Sequence, residues 1–188
     1  MRSLLASNLL ALAACSPPAA DSYVARSDVE EPQQQPQPSL TPLSSPDVTG
    51  AQWVPSTTPH RIVYGKTGEM PLIALACEQN GPQPHLTLTR FARAPEGGKA
   101  VYAVDGNGYI GRWKADAVKA SGGYVWQAVI GLDEYKLNAL LGPRSIEATV
   151  PGTGTVLINQ NELPRELIET CRSFTAPPLA NGRTQPVR

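Results

Sequence analysis

The chain has 188 residues, 41% of them apolar, enough for the core of one ordinary domain with flanks. Sixteen Lys and Arg balance sixteen Asp and Glu, and this zero net charge argues against a nucleic-acid binder, which normally carries a clear basic excess. Nineteen prolines are too many for a uniformly packed domain of this size, so part of the chain is expected to be linker.

The start reads Met1-Arg2-Ser3, one positive charge, followed by a Leu- and Ala-rich stretch over residues 4–14. That stretch is too short to span a bilayer as a helix and has the layout of an export signal. It ends in Leu12-Ala13-Ala14-Cys15, which resembles the bacterial lipobox. The resemblance implies removal of residues 1–14, a diacylglyceryl group on Cys15 and acylation of the new amino terminus. The other reading is a plain secretory signal with an incidental cysteine. Two or three acyl chains on one residue exceed what stable anchoring requires. Ser16, and not Asp, comes after the cysteine, which resembles the pattern sent on to the outer membrane in Gram-negative bacteria.

Residues 15–59 are expected to be the lipidated cysteine and a tether. They carry many prolines, the glutamines Gln33, Gln34, Gln35 and Gln37, and little periodic hydrophobicity. Such a stretch buries too little apolar surface to offset its ordering entropy. A flexible coil of this length would average roughly 35–40 Å end to end. The tail over residues 173–188 reads the same way.

Residues 60–172 form the predicted domain. Residues 61–64 suggest an edge strand, and the unbroken apolar run Leu72-Ile73-Ala74-Leu75-Ala76-Cys77 suggests a strand covered on both faces. Residues 85–91 alternate. Asp105-Gly106-Asn107-Gly108 predicts a hairpin turn between strands over 99–104 and 109–113, because Gly and Asn accept positive φ. Further strands are expected over 124–130, 145–150 and 155–159, the last two joined by a Pro151-Gly152 turn. Two short helices are predicted, one capped by Asp133 and ended by Gly142-Pro143, the other begun by Pro164 with Leu163, Leu167 and Cys171 on one face. The fold class is therefore mainly β, or α+β: a small antiparallel sandwich or barrel with two short helices.

With Cys15 assigned to lipid, Cys77 and Cys171 remain, the even number expected in an oxidising compartment. Cys171 points inward along its helix and Cys77 ends the most buried-looking strand, so a disulfide is plausible; two separate buried thiols are the alternative. Residues 71–172 also resemble a group of uncharacterised periplasmic proteins of Gram-negative bacteria. The likeness lies in Leu75-Ala76-Cys77-Glu78, the leucine-rich turn over 133–141 and the ending Leu163-Pro164-Arg165-Glu166-Leu167-Ile168-Glu169-Thr170-Cys171-Arg172. It implies architecture and a cysteine pair, and no activity.

Gly106-Asn107-Gly108-Tyr109-Ile110-Gly111 spells a dinucleotide fingerprint, but residues 109–113 read as strand where that motif needs a helix. His60 and His85 lack His or Cys partners at ligand spacing, so neither a metal nor a cofactor is expected. Asp133 and Glu134 read as helix-start carboxylates. The one surface the sequence suggests gathers Tyr109, Arg112 and Trp113, with Tyr102 and Lys114 nearby, residue types that anchor interfaces; core packing of the aromatics is the competing reading. The expectation is a non-catalytic, membrane-anchored envelope module, on the periplasmic side of the outer membrane, that meets an envelope protein or the cell wall. An inhibitor of a periplasmic or incoming hydrolase, using the 105–108 turn as a plug, is the alternative. An enzyme without a recognisable motif is the third class.

Overall fold

The computed structural model describes residues 41–174. The expected signal, the cysteine expected to carry lipid, most of the expected tether and most of the expected tail lie outside the described residues. Nine antiparallel strands form one nearly closed, barrel-like sheet with two short helices. The strands are β1 (Gln52–Pro55), β2 (Arg61–Gly65), β3 (Ile73–Glu78), β4 (His85–Arg93), β5 (Lys99–Gly106), β6 (Tyr109–Ala120), β7 (Gly123–Gly131), β8 (Ile146–Thr149) and β9 (Thr155–Ile158). Around the sheet they run β1-β2-β3-β4-β7-β6-β5-β8-β9.

Side-chain alternation places the core. Ile62 and Tyr64 of β2, Ile73, Leu75 and Cys77 of β3, and Leu86 and Leu88 of β4 all point inward through successive registers. From the far side come Trp113, Ala115, Tyr102, Val104, Ile146 and Ile158. As expected for the apolar run, β3 is buried on both faces, Ala74 and Ala76 included. Tyr64, one strand in from the β1 margin, ties to the β9 margin: its hydroxyl donates to the Leu157 carbonyl at 3.1 Å and accepts the Asn159 N–H at 3.1 Å. Each such bond adds about 1 kcal/mol and fixes β2 against β9, although no ladder joins those strands.

The folded region begins earlier than the expected boundary at residue 60. β1 pairs with β2 in the register Trp53↔Tyr64, and Ala51 and Trp53 are buried in the core. The expected edge strand at 61–64 is thus an inner strand, β2. Upstream of β1, the Leu43 N–H donates to the Gly152 carbonyl, the Thr155 N–H to the Ser45 hydroxyl, and Lys66 pairs with Asp47 at 2.6 Å. That pair and the Thr49 N–H hold the Asp47 carboxyl well below the usual carboxylate range.

One end of the barrel carries the helices. A 3-10 turn (Tyr135–Leu137) runs into α1 (Asn138–Leu141), and α2 (Leu163–Ser173) closes the chain's path there. Pro164 sits in the first turn of α2, and Leu167, Ile168 and Cys171 are buried beneath it. Cys171 is disulfide-bonded to Cys77, joining α2 to β3. The expected Asp133 cap is not made: the position before the 3-10 turn is Glu134, with no side-chain cap bond. Glu134 instead accepts the Trp113 indole N–H at 2.8 Å.

Candidate functional site

At the helical end, β5 and β6 meet in a two-residue turn with Asn107 at φ 55° and Gly108 at φ 81°, the left-handed pair that suits a tight hairpin. The fingerprint glycines are therefore structural: Gly108 supplies the positive φ, and a Cβ on Gly111 would sit 2.0 Å from the Trp113 ring. The turn is tied to its surroundings through Asn107. The Asn107 amide donates to the Ala139 carbonyl at 2.9 Å, and its oxygen accepts the Arg144 N–H at 3.1 Å. Asn107 thereby fixes both the end of α1 and the chain after it. A Cβ on Gly142 would fall 2.0 Å from the Asn107 side-chain oxygen, so this close approach requires glycine there.

Between the turn, the end of α1 and the start of α2 lies a groove of about 520 Å³, open to solvent. Its lining includes Tyr109, Asn138, Leu141, Pro143, Arg144 and Arg165. Arg165 is held by two contacts, an ion pair to Glu162 at 3.3 Å and a hydrogen bond to the Leu141 carbonyl. Arg144 has a fixed backbone, and its guanidinium makes no hydrogen bond or ion pair within the described residues. The lining offers two cations, two amides, a phenol and apolar surface, with no carboxylate, imidazole or thiol. Such a set can hold and orient an anionic ligand.

Of the suggested surface, only Tyr109 reaches this groove. It is 41% exposed, whereas Trp113, on the same side of β6, is 5% exposed and lies in the core. Arg112 is exposed on the opposite face of the strand, and Lys114 shares that face. Tyr102 is fully buried. The three residues Tyr109, Arg112 and Trp113 therefore do not share one surface. The residues missed by sequence reasoning are Asn138, Arg144 and Arg165. Arg144 and Arg165 lie 21 positions apart and meet only through the fold.

A second polar group lies inside the barrel. Arg90 is 4% exposed, donating to the Leu72 carbonyl at 3.2 Å and the Thr153 carbonyl at 3.0 Å, with no carboxylate partner in the described residues. Burial lowers its proton affinity, and burial raises the pKa of Tyr102 well above the ordinary tyrosine range, against the opposing charge of Arg90. Arg90 links the chain entering β3 to the turn between β8 and β9, a structural tie. The histidines are apart from both places: His60 packs edge-on against Phe174 at 5.1 Å, and His85 meets the Gln83 carbonyl at 3.3 Å. Among the described residues, no cluster of three His, Cys, Asp or Glu is grouped to hold a metal, and no helix is long and apolar enough to cross a membrane.

Comparison of the chain with protein-family models, with curated proteins and with solved structures finds no match.

Proposed function

We propose that this chain is a lipid-anchored protein of the cell envelope whose barrel is a non-catalytic binding module. The observation that carries the binding reading is the groove at the helical end, which presents two arginines and a tyrosine and no acid–base pair. Anchoring rests on Leu12-Ala13-Ala14-Cys15, and Ser16 favours the periplasmic face of the outer membrane. The Cys77–Cys171 bond suits an oxidising compartment, in keeping with that location. The partner is an envelope protein or the cell wall; the balanced charge gives no reason to propose nucleic acid.

Two measurements test this. Cys15→Ser should move the protein from the membrane fraction to the soluble fraction with its fold unchanged. Retention in the membrane, with no lipid mass on the mature terminus, would refute the anchor. Crosslinking in intact envelopes, with subsequent capture of the full-length chain, should recover a specific envelope partner that Tyr109→Ala loses. If capture is indifferent to Tyr109, the groove is not the docking site.

A further inference from the structure

We infer that the groove takes a peptide segment carrying a single carboxylate next to an apolar side chain, with the carboxylate on Arg144 and Arg165. The inference rests on the binding-module reading and names its ligand class. Asn107 holds the Arg144 backbone at the rim of the groove, and the exposed Arg144 guanidinium lines it with no hydrogen bond or ion pair among the described residues, free to meet a ligand. Arg165 is oriented by the Leu141 carbonyl and Glu162. The lining carries two guanidinium groups, and Glu162, paired with Arg165 from outside it, offsets one of them, leaving one net positive charge for a ligand. One ligand carboxylate balances that charge, whereas a phosphate dianion would bring excess negative charge up to Glu162.

The rest of the lining fits a peptide. The half-buried Asn138 amide has no hydrogen bond in the described residues and offers both a donor and an acceptor to a peptide group. The exposed ring of Tyr109, with Leu141 and Pro143, gives apolar surface for a neighbouring side chain. At about 520 Å³ the groove admits a few residues, not a folded surface.

The test uses the full-length protein in detergent and two hexapeptides, Gly-Ser-Leu-Glu-Ser-Gly and the same peptide with Gln in place of Glu, both C-terminally amidated and labelled at the N-terminus with an uncharged dye, with binding read by fluorescence anisotropy. The Glu peptide should bind at least about tenfold more tightly, the size of one charge-assisted contact. Arg144→Gln should remove that preference without lowering the melting temperature, because the backbone bond to Asn107 survives. Equal binding of the two peptides, or a preference untouched by Arg144→Gln, overturns the inference. So does displacement of the Glu peptide by inorganic phosphate with the peptide's own affinity, which would make the groove a general anion site. Capture of an envelope partner that depends on Tyr109 and not on Arg144 would sink the carboxylate assignment and leave the binding module standing. Loss of all capture would count against the module itself, while the peptide titration still decides the ligand class.

Discussion

Trp113 shows what one side chain decides. Its indole lies in the core, tied by its N–H to Glu134 and packed over Gly111. Trp113→Ala should therefore destabilise the barrel by about 3–5 kcal/mol in urea unfolding, the range for removing a large buried aromatic. A loss below about 1 kcal/mol would place the ring back at the surface. Alternation along β6 made it legible that Tyr109, Gly111 and Trp113 share a side, but alternation does not say which side is inward. Gly111 holds the missing information: a glycine two positions before a tryptophan on the same side leaves room for the ring to fold over the strand. Arg144 and Arg165 were not legible at all, because no periodicity links residues that far apart in different elements.

Secondary elements were more readable than their neighbours. The four-residue spacing of Leu163, Leu167 and Cys171 gives α2 its buried face, and the structure joins Cys171 to Cys77 across a separation of 94 residues. Replacing either cysteine by Ala should lower stability by roughly 2–5 kcal/mol, read as a shift in the urea midpoint. An unchanged midpoint would mean the helix is held by packing alone. β1 was missed because its four residues lie in Pro-rich sequence and end at Pro55. An edge strand tolerates a terminal proline, since the missing N–H can face away from the ladder. The composition that marks a linker and the composition of a short edge strand overlap, and only the inward Trp53 separates them here.

For the molecule as a whole, the sequence reached the class and stopped short of the order. It could not place β4 beside β7, because that pairing spans two intervening strands and depends on how the sheet curls. Nor could it choose a barrel over a sandwich, a choice made by long-range closure such as the Tyr64 hydroxyl between Leu157 and Asn159. A chain begun at residue 60, the expected domain boundary, would lack β1 and leave Tyr64 without the tilted Trp53 ring 5.4 Å away. It should lose cooperative unfolding in circular dichroism; a sharp transition at the midpoint of the full chain would show β1 to be dispensable. The placement of the two ends has a mechanical consequence. The chain enters at the end where Leu43 meets Gly152 and Gln52 pairs with Gly65, while the groove lies at the other end, beside Asn107. If the chain is anchored upstream, as proposed, and a ligand sits in the groove, tension between the two would run along the strands. The ladder bonds between β1 and β2 would then be strained together in shear, a loading that bears more force than unzipping them one after another.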